Sequence, residues 1–124
     1  MGADKIDEAL PPLLEEVKRG KYPVVWIDDP LHANTETVDG QKTRRFDKII
    51  KEEERFFEIC EAADVWGGGL HLEMTGDNVT ECLGGSDPYA GTDLNVRYTT
   101  KCDPRLNPTQ SIELAFRVAE HRRG

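Results

Sequence analysis

The sequence predicts an α/β fold in which two or three parallel strands carry helices packed against them. Three observations predict it. Val24-Val25-Trp26-Ile27 is an unbroken apolar run of the kind found in strands buried on both faces. Leu70 to Met74 alternates apolar and polar residues, placing Leu70, Leu72 and Met74 on one face and His71 and Glu73 on the other. Stretches with helical spacing stand before, between and after these two, and such alternation makes a parallel sheet. So few strands cannot close a barrel. Their free edges and apolar face need a cover, which predicts a homodimer or larger homo-oligomer.

Asp4 is expected to cap a short helical turn that ends at Leu10. Pro11-Pro12 then restart the chain, and a helix runs on to Gly20, the residue suited to stand past its end. Leu10, Leu13, Leu14 and Val17 make its apolar stripe. Asp28-Asp29-Pro30 ends the first strand. From Leu31 to Thr43 no period is visible and Asn, Thr, Asp and Gly abound, which predicts a long loop at the strand's carboxyl end. A helix from about Arg45 to Ala63 follows, burying Phe46, Ile49, Ile50, Phe56, Phe57 and Cys60. Gly67 to Gly69 break the chain before the second strand. Gly84 to Thr92 reads as loop, Thr92-Asp93 as the cap of a short helix through Tyr98, and Thr99 to Cys102 as a candidate third strand. Asn107 caps a closing helix with Pro108 in its first turn, and Ile112, Ala115, Phe116 and Ala119 form its stripe up to His121.

Composition narrows the function classes. The 124 residues fit one domain, spanning 1–124. A formal net charge of −8 argues against general affinity for nucleic acid or an anionic membrane. No apolar run reaches transmembrane length and acids stand near the N-terminus where a signal peptide has bases, so a cytoplasmic location is expected. Cys60, Cys82 and Cys102 are odd in number and form no CxxC pair, which predicts free thiols. Asn78-Val79-Thr80 matches a glycosylation sequon, without meaning in a protein that is not secreted.

One residue stands out before any resemblance is considered. Glu73 falls one step before the carboxyl end of the expected second strand, where βα units collect their active sites. His71 shares its face, although a single strand histidine is more often structural. Lys42, Arg44, Arg45 and Lys48 cluster within an acidic chain, a pattern that charge alone reads as a solvated loop-to-helix junction before it reads as an anion site.

Four stretches, in order, resemble the C-terminal portion of type II DAHP synthase: VVWIDDPLHANT, KTRRFD, HLEMTGDNVTECLGG and RYTTKCDPRLNPTQSIELAFRVAE. The resemblance spans nearly the whole chain. That family makes 3-deoxy-D-arabino-heptulosonate 7-phosphate (DAHP) from phosphoenolpyruvate and erythrose 4-phosphate on a (β/α)8 barrel, opening the shikimate pathway of aromatic amino acid biosynthesis. The resemblance therefore implies a partial TIM-barrel-like fragment, a single truncated domain completed by oligomerisation. It also implies metal ligands at His32, Glu73 and Asp103. One imidazole and two carboxylates suit Mn, Co, Fe or Zn better than a thiolate-preferring ion. The family's fourth ligand, a cysteine near the start of the full-length enzyme, lies outside the matched region, so metal is expected to bind weakly or to have been lost. Lys42 corresponds to a lysine placed near the reacting carbonyl, with Arg44 beside it. Arg105 is placed with Arg44 and His71 as a candidate substrate contact, with a structural ion pair as its equal alternative. Ala33 stands where the family has glycine and Asp28 where it has cysteine. The cations that hold phosphoenolpyruvate come mainly from earlier strands, which this sequence lacks.

Three functions are consistent with these residues. The first is a repurposed enzyme of bacterial specialised (natural product) metabolism that cyclises a small molecule or adds to a carbonyl, a lyase or transferase type of reaction. Glu73 or Asp103 would be its base, and His32 or Lys42 would polarise or protonate the oxygen. The second is one part of a split DAHP synthase. The third is a non-catalytic binding or regulatory module.

Overall fold

The computed structural model describes residues 1–87 and 93–123. Among them the first helix, α1 (Ile6–Gly20), runs unbroken through Pro11 and Pro12, where a restart was expected. The two prolines forgo bonds to the carbonyls of Asp7 and Glu8, both exposed residues, while Ile6, Leu10 and Leu14 are buried. Packing outweighs the two lost bonds. Leu13, expected in the stripe, faces outward. Lys21 rather than Gly20 takes the left-handed cap, with φ 54°. Gly20 meets a different need, since a Cβ there would stand 2.1 Å from the Tyr22 ring.

The first strand, β1 (Trp26–Asp28), pairs in parallel with β4 (Gly67–Leu70), as the alternation of elements predicts. The triple glycine is thus the second strand itself, not a break before it. A Cβ on Gly67 would stand 2.9 Å from the Phe57 ring and one on Gly68 2.6 Å from Val25, so glycine permits the close approach. The alternating stretch beyond Leu70 makes a single parallel bridge, from Met74 to Leu106. Burial of the first strand on both faces does not hold, since Val24, Val25 and Ile27 are exposed in this chain.

The expected long loop from Leu31 to Thr43 is instead a 3-10 turn (His32–Asn34) followed by a β-hairpin. Its strands, β2 (Thr35–Val38) and β3 (Gln41–Arg44), are antiparallel and joined by Asp39 and Gly40. These two have φ 49° and 82°, the pair of left-handed residues a tight hairpin turn requires. The long helix α2 (Phe46–Ala62) lies where expected and buries Phe46, Ile49, Phe56, Phe57 and Cys60, with Ile50 half-buried. It spans two core clusters. Its second half packs Phe56, Phe57 and Cys60 with Ile6, Leu10 and Leu14 of α1. Its first half packs Phe46 and Ile49 with Leu31, Cys82, Leu106 and Leu114.

Residues 93–98 form turns rather than the expected helix, because the Asp93 carboxylate accepts from the Asn95 backbone N–H at 2.8 Å and its side-chain amide at 3.0 Å. Thr92 and the end of the expected Gly84–Thr92 loop lie outside the described residues. Thr99 to Cys102 is no strand, since the Thr99 and Thr100 amides donate to the Glu81 side chain instead of to a neighbouring strand.

The closing helix α3 (Pro108–His121) begins as expected, with Asn107 and Gln110 forming a reciprocal capping box. Its inward side is Gln110, Leu114 and Val118, however, and the expected stripe residues Ile112 and Phe116 are 59% and 66% exposed. The described residues form a mixed α/β fold with no closed barrel. No helix among them is long and apolar enough to cross a membrane. Cys60, Cys82 and Cys102 are free thiols, as expected.

Candidate metal centre

Three segments bring the candidate ligands together just past the carboxyl ends of β1 and β4. After β1, the Asp29 carboxylate organises the turn that carries His32. One oxygen accepts from the Leu31 and His32 amides, both at 3.1 Å, and the other lies 2.6 Å from His32 Nδ1. A proton on Nδ1 donated to Asp29 would leave Nε2 free to take a metal. That nitrogen stands 3.5 Å from Glu73 Oε1.

Glu73 follows β4 and is held from both ends. Its carbonyl accepts from Leu106 N at 3.0 Å, and Thr75 N donates to Leu106 O at 3.0 Å, which ties this segment to the one carrying Asp103. Its second carboxylate oxygen, Oε2, accepts from Arg44 Nη1. Arg44 is fully buried and also donates to Thr35 Oγ1 at 2.9 Å and to the Pro104 carbonyl at 2.6 Å. Its guanidinium therefore lies behind Glu73 and orients it, while its Nη2, also buried, makes no hydrogen bond.

Asp103 sits on a loop fastened by Glu81. This buried carboxylate accepts from the amides of Thr99, Thr100 and Arg105 and from the Arg105 side chain. Desolvation works to raise the Glu81 carboxyl, but the Arg105 guanidinium and these amides outweigh it and hold it below the ordinary range. Arg105 is thus engaged with Glu81. On the open side, Lys42 Nζ donates to Asp103 Oδ1 at 3.1 Å. Their bond holds the Asp103 carboxyl down and the Lys42 amine up from their usual values. His71 stacks beside His32 with ring centroids 6.3 Å apart.

His32, Glu73 and Asp103 each offer a ligand atom, all within 4.8 Å of one another. Ligands at metal bond lengths near 2.1 Å lie about 3.4 Å apart in a tetrahedral shell, so small side-chain movements close this set around one ion. Neutral imidazole with two carboxylates fits Mn, Co, Fe or Zn. A metal held here would supply Lewis acidity toward a substrate oxygen.

Sequence reasoning singled out the three ligands and Lys42 but missed Asp29 and Glu81. Asp29 had a local signal, a carboxylate three residues before a histidine just after a strand. Glu81 had none, because its partners lie 18 to 24 residues away.

The comparisons with known proteins show the family. The model of the class-II DAHP synthetase family matches residues 1–119. A phospho-2-dehydro-3-deoxyheptonate aldolase of Streptomyces coelicolor is 53% identical over 121 residues, covering 97% of this chain and 27% of that protein. A Mycolicibacterium smegmatis protein of the same name is 51% identical over 97% of this chain and 26% of its own length. One from Streptomyces lividans is 52% identical over 97% of this chain and 82% of its own length. The chain thus spans about a quarter of the first two relatives and most of the third. A match across nearly the whole chain, over the segments that converge on this rim, makes it a member of the class-II DAHP synthetase family.

Proposed function

We propose that this chain is a repurposed member of its family, in bacterial specialised metabolism, that binds a divalent metal and adds to or cyclises a small molecule through a carbonyl group. The observation that carries the metal reading is the assembly of His32, Glu73 and Asp103 together with the Asp29 contact that fixes the His32 ring. A carboxylate on the far ring nitrogen is the support that a ligand histidine usually has. Metal dependence across class-II DAHP synthases supports it further.

The chain's own groups have distinct parts. His32, Glu73 and Asp103 would hold the ion. Asp29 keeps the proton on Nδ1, and Arg44 keeps Glu73 turned toward the rim. Lys42 closes the open side, where an ammonium can steady a developing oxyanion. Against DAHP synthesis by this chain alone stands the state of its cations. Lys42, Arg44, Arg45 and Arg105 are paired with Asp103, Glu73, Glu36 and Glu81. A two-phosphate condensation needs fixed cations to position both substrates.

A second reading is a share in DAHP synthesis with another polypeptide. What favours it is the uncovered sheet, with Val25 72% and Ile27 54% exposed. One experiment separates the readings. Calorimetric titration with Mn²⁺ should show binding by the wild type and none by Glu73→Ala. The loaded chain, given phosphoenolpyruvate and erythrose 4-phosphate, should make no DAHP. Equal Mn²⁺ affinity in both proteins would remove the metal centre and favour a non-catalytic module, while clear turnover would overturn the repurposed reading, and turnover only with a second polypeptide would promote the shared one.

A further inference from the structure

Two cations hold the two carboxylate ligands, and they do so in unlike ways. Arg44 is fully buried and fixed from three directions, by Glu73, Thr35 and the Pro104 carbonyl. Lys42 reaches Asp103 from β3 through one bond of 3.1 Å, and its side chain is 57% exposed. Exposed pairs of this kind contribute little because water screens them and the long side chain loses freedom in making them. A divalent ion carries twice the ammonium's charge and binds oxygen at shorter range. Of the two cations, only Lys42 is placed to yield.

We propose that Lys42 is a displaceable counter-cation of the metal site. Its ammonium and the metal compete for Asp103, so the arriving ion takes the carboxylate and releases Lys42. The proposal rests on the metal reading above. The Lys42 backbone does not need to move. It is paired with Thr37 in the hairpin, and its carbonyl accepts from Tyr98 Oη at 2.8 Å. Only the side chain swings, which keeps the freed amine within its own length of the ion. Metal loading and exposure of a reactive-site amine thereby become one event.

The test uses Mn²⁺ as the probe and two readouts. Calorimetry should find that Lys42→Met binds Mn²⁺ roughly three- to tenfold tighter than the wild type, because a competing positive charge is gone. Amine acetylation mapped by mass spectrometry should find Lys42 of the wild type more readily modified when Mn²⁺ is added, with Lys5 as the internal reference. In Asp103→Asn, Lys42 should be freely modified with or without Mn²⁺. Equal or weaker Mn²⁺ binding by Lys42→Met overturns the proposal, as does Lys42 acetylation that Mn²⁺ fails to raise. In either event the metal reading survives if the wild type binds and Glu73→Ala does not. Absence of binding in both the wild type and Lys42→Met overturns the two together.

Discussion

His32 Nδ1 lies 2.6 Å from Asp29, and the same carboxylate also takes two backbone amides of the turn. Desolvation acts to raise the Asp29 carboxyl, but the amides of His32 and Leu31 and the His32 ring outweigh it, so Asp29 stays ionised and keeps its grip. Asp29→Ala should therefore weaken Mn²⁺ affinity by about 10- to 100-fold, the usual cost of losing a group that orients a ligand histidine. Calorimetry alongside far-UV circular dichroism checks it, and an unchanged affinity with an intact fold would mean the ring is held by other means. At this scale the sequence was informative about ligands and silent about their supports. His32, Glu73 and Asp103 stand in recognisable motifs, and Arg44 stood among the candidate substrate contacts. The guanidinium's partners, Glu73 and the Pro104 carbonyl, are 29 and 60 residues away, and only tertiary structure shows that it supports a ligand.

The elements that carry the site differ in how they declare themselves. Helix α3 has a clear start in its capping box, whereas α2 has no side-chain cap at Arg45 and was legible from its apolar period alone. The inward face of α3 was not, because Gln110 is buried by donating to the Cys82 and Gly84 carbonyls while Phe116 is left outside. The β2–β3 hairpin had its signal in Asp39-Gly40, which an eye set on apolar periodicity passes over since Thr35–Val38 and Gln41–Arg44 are mostly polar. The loop carrying Asp103 has no repeating pattern at all, and one buried carboxylate organises it. Glu81→Ala should leave the Thr99, Thr100 and Arg105 amides without their acceptor and destabilise the chain by about 2 kcal/mol, given that Arg105 is partly solvated. Hydrogen exchange should rise across residues 99–105, and Mn²⁺ binding should fall with it. Unchanged exchange in that loop would show that Glu81 is not what fastens it.

Taken whole, the chain leaves apolar surface uncovered on its sheet, at Val25 and Ile27, and on α3, at Ile112 and Phe116. The expected parallel pairing holds, and the open face gives association of this chain a physical motive. Light scattering at micromolar concentration should find a particle larger than the 14.0 kDa chain, and a stable monomer would refute this. A second whole-molecule property comes from two buried carboxyls between β1 and α2. Asp28 Oδ2 and both Glu53 oxygens have no hydrogen-bond partner. Burial, then the nearby Glu52, pushes Asp28 up to about 7, and burial, then Glu54, does the same to Glu53, against the opposing pull of Arg117. Raised carboxyl values mean that the folded chain keeps protons which the unfolded chain has already released. Stability should therefore fall as pH rises from the ordinary carboxyl range near 4 to about 7, and fall again only as pH nears 9, where the Cys60 and Cys82 thiols, raised by burial, begin to count. Glu81, Asp29 and Asp103 are shifted the opposite way, and their contributions are lost only at lower pH. The urea midpoint should then be higher at about pH 5.5 than at about pH 8 in the wild type. In Asp28→Asn/Glu53→Gln, where neither group can ionise, the two midpoints should nearly coincide. If the double variant keeps the wild-type slope, the protons that govern stability sit elsewhere.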